Sequence, residues 1–288
     1  MKIFVTGAAG KLGSVTVKVL TEAGHEVRAT DRKFAAGTPR VEPSDLLDEH
    51  TLYRLMDGVE AVVHLGNHPN RFAGPSPQRI LAENVAMNAN VFSAALDLGV
   101  RRIVFSSSIQ VMLKTDGIRT DRSSIPYLPL DGNAPANPGL NPYALSKQFA
   151  EEHLRTAARE IPELSATALR FPMLVGEWWS RRIEMNSGRM RQDELHLNEA
   201  TAHLTFPDAA RVILAAIERQ APGYHCYFPS QTLDITNRTP AEIARAFFPG
   251  VRLAVPEAEL AELVDRSALE RDLGYRAQDR FRVTLRDD

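Results

Sequence analysis

Tyr143 and Lys147 lie four residues apart in the run Asn141-Pro142-Tyr143-Ala144-Leu145-Ser146-Lys147. On a helix that spacing puts them on one face. A free tyrosine titrates near 10 and is a poor base at neutral pH. A nearby ammonium favours the phenolate and lowers that value. The pair could therefore move a proton between a hydroxyl and a carbonyl. Taken alone, this spacing recurs by chance on helix surfaces, so position has to decide. Upstream, Ser106-Ser107-Ser108 closes an apolar run that reads as a strand. One hydroxyl there can donate to a developing oxyanion and hold the tyrosine, while the others cap the strand end.

A second constellation opens the chain. Thr6-Gly7-Ala8-Ala9-Gly10-Lys11-Leu12-Gly13 joins an apolar strand, Ile3-Phe4-Val5, to a stretch with helical spacing. Glycines at this strand-to-helix turn form a dinucleotide-binding fingerprint. Gly7 allows the tight turn, Gly10 lets the backbone approach a pyrophosphate, and Gly13 lets helix and strand pack closely. The anion then rests on the positive end of the helix dipole. Asp31 follows Gly13 by 18 positions at the end of the second strand. A carboxylate there binds the ribose hydroxyls and repels a 2′-phosphate, which favours NAD. Arg32 could pair with that phosphate, so NADP stays open; otherwise Arg32 is a solvated side chain. Asp45-Leu46 could reach an adenine, or Asp45 could cap a helix.

The elements that must position these groups alternate. Strands are expected at Ile3–Val5, His25–Thr30, Ala61–Leu65, Arg102–Phe105 and Ser165–Arg170. Helices are expected near Lys11–Ala23, Gln78–Leu98, Asn141–Arg159, Asp208–Glu218 and Pro240–Phe248. Strand–helix alternation implies an α/β fold, a doubly wound parallel sheet. The division expected is a Rossmann domain over 1–171 with the reactive residues, and a smaller irregular substrate-binding region over 172–288, partly interleaved with the sheet. Residues 172–203 show little periodicity.

Composition bounds the rest. The chain has 288 residues, a formal net charge of −2, 44% hydrophobic and 24% charged residues, which suits a folded globular protein. There is no basic excess for a phosphate backbone, so nucleic acid is not an expected partner. The single cysteine, Cys226, reads as a core residue in a reducing compartment. No apolar run reaches the length of a membrane span, and the N-terminus lacks a leader pattern. A cytoplasmic protein with a small-molecule substrate is expected. No metal is expected: His64 and His68 lack a third ligand. Nor is there a Gly-x-Ser-x-Gly hydrolase elbow.

Together these residues resemble the extended short-chain dehydrogenase/reductase family, also called the NAD-dependent epimerase/dehydratase family. The likeness runs from Met1 to about Gly176. Its motifs are Thr6 to Gly13, Asp31, Asp45-Leu46, His64-Leu65-Gly66, Asn84, Phe105 to Ser108, Asn141 to Lys147 and Leu169 to Gly176. Phe206-Pro207-Asp208-Ala209-Ala210 and Leu273-Gly274-Tyr275 are weaker landmarks. The resemblance implies that Ser108, Tyr143 and Lys147 are catalytic, and that Lys147 also holds the nicotinamide ribose. It implies that NAD is bound by Gly7, Ala9, Gly10, Lys11, Leu12, Gly13, Asp31, Arg32, Asp45, Leu46, Leu65, Gly66, Asn84, Ser106, Tyr143, Lys147 and Pro172. Substrate would meet Asn67, Ser108, Gln110, Tyr143 and Arg182.

The departures from the family pattern are informative. Met173 stands where members that handle nucleotide sugars carry asparagine. Only 32 positions separate Gly176 from Asp208, and the family's diphosphate-holding segment is missing. That looks more like the uronate (aldose) dehydrogenase branch, although its usual histidine appears here as Gln110. A net dehydrogenase of a free sugar or sugar acid is therefore expected, with a nucleotide-sugar epimerase or dehydratase as the alternative. Three features keep two readings each. Arg181, Arg182, Arg189 and Arg191 either clamp a substrate anion or form a solvated loop. Trp178-Trp179 either stacks on a sugar or buries that loop. The helix near Gln78–Leu98 carries two apolar stripes, Val85, Phe92 and Leu96 on one side and Met87, Val91, Ala94 and Leu98 on the other. The second stripe either faces a partner in a homodimer or is covered within the chain.

Overall fold

The computed structural model describes residues 1–33, 41–73, 76–114, 124–219 and 221–286. Its strands are β1 (Lys2–Thr6), β2 (Glu26–Asp31), β3 (Val41–Pro43), β4 (Ala61–His64), β5 (Arg102–Ser108), β6 (Ser165–Phe171), β7 (Met173–Val175), β8 (Arg189–Met190), β9 (Ala202–Thr205), β10 (Gly223–Tyr227), β11 (Gln231–Thr232), β12 (Asp234–Ile235) and β13 (Arg282–Leu285). The α-helices are α1 (Lys11–Glu22), α2 (Glu49–Met56), α3 (Pro77–Asp97), α4 (Pro142–Glu160), α5 (Glu177–Met185), α6 (Phe206–Arg219), α7 (Pro240–Phe247) and α8 (Ser267–Leu273).

Seven strands form one sheet in the order β3-β2-β1-β4-β5-β6-β10, and every pair in it is parallel. The strand order reverses between β1 and β4. In an open α/β sheet that switch point opens a crevice at the carboxyl ends of the strands. Helices α1, α6 and α8 pack on one face; α2, α3 and α4 cover the other. The central strands are buried on both faces, which is why Ile3 to Val5 and Ile103 to Phe105 read as continuous apolar runs. Among the described residues no helix is long and apolar enough to cross a membrane.

Several elements differ from the sequence expectations. β3 and α2 lie between the second and third expected strands; three residues and eight residues are too short to carry a clear period. The cap of α2 is Asp48, whose carboxylate accepts from Thr51 N, and not Asp45. β5 runs on to Ser108, because Ser106, Ser107 and Ser108 stay in register with Leu169, Arg170 and Phe171 of β6. The stretch expected to be irregular contains α5. Most of both stripes of α3 is covered by the chain: Met87, Val91, Phe92 and Ala94 are buried in the layer shared with α2, α4 and the sheet, Val85 and Leu96 are half-buried, and Leu98 at the helix end is exposed. Met87, Val91 and Ala94 of the second stripe thus take the reading of cover within the chain.

The C-terminal part divides. α6 and β10 return to the main sheet and its helical layer. β7, β9 and β11 form a small second sheet, and β8, β12 and β13 a third. These surround a separate apolar cluster that includes Trp179, Leu197, Phe228, Ile243 and Leu263. Its anchor is Asp208 at the start of α6. The buried carboxylate accepts from Gln278 N and Asp279 N and from the Tyr275 hydroxyl, and pairs with Arg211. That ties the C-terminal segment back to the helix.

Candidate active site

The glycine turn is built as its sequence demands. Gly7 sits at φ +67°, where a side chain is strained, and a Cβ on it would lie 2.8 Å from Gly66 N. A Cβ on Gly13 would run into the Gly7 carbonyl. Gly10 caps α1 without any side-chain hydrogen bond, so no side chain closes the amide end of the helix. Asp31 at the tip of β2 accepts from Ala9 N at 3.0 Å and from Lys33 N at 3.1 Å. Its carboxylate thus braces the turn and also faces the crevice. Thr6 Oγ1 accepts from the Leu65 and Gly66 amides, which fixes the loop after β4 beside the turn.

The proton-transfer end stands on β5 and α4. Asn141 caps α4 by accepting from Tyr143 N and Ala144 N, and Pro142 occupies the first turn. The rigid start of α4 presents Tyr143 and Lys147 together. Ser108 lies beside the Tyr143 phenol and draws its titration down. Lys147 Nζ donates to Ser106 O at 2.6 Å and to Asn67 Oδ1 at 2.7 Å. It lies 4.6 Å from the Phe105 ring centre and 5.6 Å from that of Tyr143. Gln110 Oε1 accepts from Asn141 Nδ2, so this glutamine of the cleft wall is locked to the cap of α4.

Burial, and not the charge of the lysine, dominates the titration here. It pushes the Tyr143 phenol up to about 12, against the pull of Ser108. It pushes the Lys147 ammonium down to about 7, and Glu151 on α4 partly restores it. The expectation that the lysine simply lowers the phenol is therefore corrected. Tyr143 holds its proton at neutral pH, a state suited to a general acid, and must be helped to become a base.

Behind Lys147 runs a chain of buried polar groups. Asn67 Nδ2 donates to Asn88 Oδ1, which also contacts His64 Nε2 at 2.9 Å; His64 Nδ1 meets Thr6 Oγ1 at 2.7 Å. Burial, then the Lys147 charge, pushes His64 down to about 3, so it is a neutral structural link. His68 pairs with Glu83. Sequence reasoning missed Glu151 as well. It holds Arg170 through two bonds of 2.9 and 2.7 Å, and Ser107 donates to it.

One cleft of about 740 Å³ gathers these groups. Gly7, Gly10, Lys11, Leu12, Gly13, Asp31, Arg32, Leu46, Leu65, Gly66, Asn67, Ser106, Ser108, Gln110, Tyr143, Lys147 and Pro172 all line it. Four expected residues do not. The Ala9 amide points to Asp31. Asp45 closes a turn on Leu47 N. Asn84 is buried behind the wall, joined to the His68 backbone and Ser146 Oγ. Arg182 pairs with Glu194 at 2.6 Å. The other arginines give no clamp either: Arg181 pairs with Glu177 and Arg191 with Asp193, and Arg189 is not in the wall. Trp179 is buried in the C-terminal core and Trp178 is half-exposed, so neither forms a sugar wall. The residues that do close the far end are Met173, Leu174, Glu199 and Phe206.

The crevice and the glycine turn define a dinucleotide-binding type of α/β fold, with a Ser-Tyr-Lys set at its other end. The chain belongs to the NAD dependent epimerase/dehydratase family, which its residues 3–226 match. It is 31% identical over 159 residues to a uronate dehydrogenase of Pseudomonas syringae pv. tomato, with 52% of each chain covered. It is 30% identical over 206 residues to the UDP-glucose 4-epimerase of Mus musculus, covering 63% of this chain and 56% of that one. The chain thus spans about half the length of these relatives. A short-chain dehydrogenase/reductase superfamily protein from Agrobacterium tumefaciens, solved with bound NAD, has the same fold at a TM-score of 0.68 and 21% identity, over 97% of this chain and 93% of that one.

Proposed function

We propose that this protein is an NAD-dependent oxidoreductase that removes hydride from a hydroxyl of a small sugar or sugar-acid-like molecule, with Tyr143 as the general acid/base. The observation that carries it is the convergence of Ser108, Tyr143 and Lys147 on the cleft whose other end is the glycine turn and Asp31. The residues fit a dinucleotide. The open amide end of α1 receives a pyrophosphate, and the close packing of Gly7 against Gly66 leaves the backbone exposed to it. Asp31 receives the ribose hydroxyls, which favours NAD over NADP. When bound, the dinucleotide supplies the hydride acceptor and, in its oxidised form, a positive charge that favours a phenolate.

The chain's own groups then share the work. Ser108 orients the reacting oxygen and stabilises the deprotonated phenol. Tyr143 takes the hydroxyl proton as the carbonyl forms. Lys147, fixed by Ser106 and Asn67, stabilises that phenolate by its charge. Among the described residues the far end of the cleft shows no cation: Lys11 and Arg32 belong to the glycine-turn end, and Lys147 serves the phenol. A diphosphate buried there would lack the paired donors it requires. This supports a free substrate over a nucleotide sugar, and hence a net dehydrogenase over an epimerase.

The deciding experiment is incubation with NAD and a set of free sugars, sugar acids and polyols, recording the absorbance of reduced cofactor. Build-up equal to the substrate consumed is expected. Micromolar binding of UDP or dTDP to the NAD-loaded protein, with no build-up, would replace this reading by the epimerase one.

A further inference from the structure

No motif in the sequence marks Glu199, yet its backbone setting is unusual. It closes the 3₁₀ turn Leu197–Glu199. His196, Ala200 and Thr201 around that turn have φ of 48°, 53° and 58°. A left-handed conformation is costly for residues with a Cβ, and most so for a β-branched one such as Thr201. The surroundings hold it in place, since Leu197, Ala200 and Thr201 are buried. The turn brings the Glu199 carboxyl to the cleft wall. One of its oxygens accepts from Met173 N at 3.2 Å. Its charge raises the Tyr143 phenol, so the two groups face a common space.

Among the described residues the cations nearby do not neutralise it. Lys147 is engaged by Ser106 O and Asn67 Oδ1, and Arg182 by Glu194. A carboxylate in such a place can only accept hydrogen bonds, and a hydroxyl is the donor it suits. A substrate carboxylate or phosphate would meet like charge there. Burial pushes Glu199 up to about 7, so near neutrality it is partly protonated. Even then it offers one donor, where an anion seeks a fork of them.

We propose that Glu199 is a specificity-determining residue that accepts a hydrogen bond from a substrate hydroxyl near the carbon served by Tyr143, and so selects uncharged, hydroxyl-dense molecules over sugar acids and phosphates. This rests on the oxidoreductase reading above and narrows its substrate class to neutral free sugars or polyols.

Matched pairs test it: glucose with glucuronate, and galactose with galacturonate. Two measurements are made on each pair, kcat/KM for NAD reduction and the melting shift of the NAD-loaded protein. The wild type should favour the aldose by about tenfold or more, as mismatched buried polar contacts do. Glu199→Gln keeps an acceptor for Met173 N but loses the charge, so it should erase most of that preference while NAD affinity stays unchanged. Equal or faster turnover of the uronates by the wild type overturns the proposal and leaves the oxidoreductase reading intact. An aldose preference that Glu199→Gln leaves untouched overturns it too. Selective, Glu199-dependent stabilisation by aldoses without any reduced cofactor would keep the proposal and defeat the oxidoreductase reading. Neither turnover nor stabilisation by any of the four sugars would overturn both.

Discussion

Replacing Lys147 by methionine keeps an unbranched apolar stem over Phe105 and removes only the charge. The ammonium lies 5.6 Å from the Tyr143 ring centre. At an effective dielectric of about 20, a unit charge at that range is worth about 3 kcal/mol to a phenolate, or about two pH units. Oxidation needs the phenolate, so kcat/KM should rise with pH through the titration of the pair. Losing the ammonium raises the phenol, and the rising limb should move about two units to higher pH. At neutral pH the loss should be about 10²-fold, and it should narrow as the pH is raised. Phenol and ammonium favour each other's charged form, so the profile reports the pair and not either residue. The assay is the pH dependence of kcat/KM for NAD reduction in both proteins, with NAD affinity followed separately by fluorescence. A profile in the wild-type position, with a neutral-pH loss below about threefold, would refute the electrostatic role of Lys147.

Tyr143→Phe should lower kcat by at least about 10²-fold with NAD affinity nearly unchanged, since the phenol does proton chemistry and the glycine turn binds; more than about a tenth of wild-type kcat would refute the assignment. Asp31→Asn should shrink the preference for NAD over NADP by about tenfold, read as the ratio of kcat/KM values, because the like-charge repulsion of a 2′-phosphate is removed. Glu151→Ala should cost about 3–5 kcal/mol in denaturant unfolding, because it leaves the buried Arg170 guanidinium without its carboxylate; a cost under about 1 kcal/mol would mean that Arg170 finds other partners.

The glycine turn and the Tyr143–Lys147 pair were legible because their chemistry dictates local spacing: a tight turn before a helix, and two groups one helical turn apart. The long elements were legible for the same reason, since α3 and α4 run for many residues in one period. What stayed hidden depends on distant contacts. Arg182 looked available to a substrate until Glu194, twelve positions on, neutralised it. Asn84 carries the right residue type but is buried behind the wall, a fact of packing that one sequence does not encode locally. β10 is half-buried along most of its length and shows no clean pattern, yet it completes the main sheet. The lowered Lys147 ammonium comes from burial, so charge spacing pointed to the wrong dominant effect. Glu199 gave no signal, because its reach into the cleft is set by left-handed turns at residues with no sequence preference for them.

The two walls of the cleft have different origins along the chain, and this bears on how such a protein can diversify. The proton-moving side stands on β5 and the first turn of α4, inside the continuous main sheet and its helical layer. The opposing side comes from Met173 and Leu174 of β7, Glu199 of a 3₁₀ turn and Phe206 at the start of α6, with Met173 packed on the separate C-terminal core and Leu174 on the main one. Substitutions on that side leave the β5–β6 ladder and the cap of α4 untouched. A lineage could therefore change what the cleft accepts by drift within residues 173–206 while keeping the glycine turn and Ser108, Tyr143 and Lys147 whole, and a directed-evolution library confined to that stretch would vary one wall at little risk to the other.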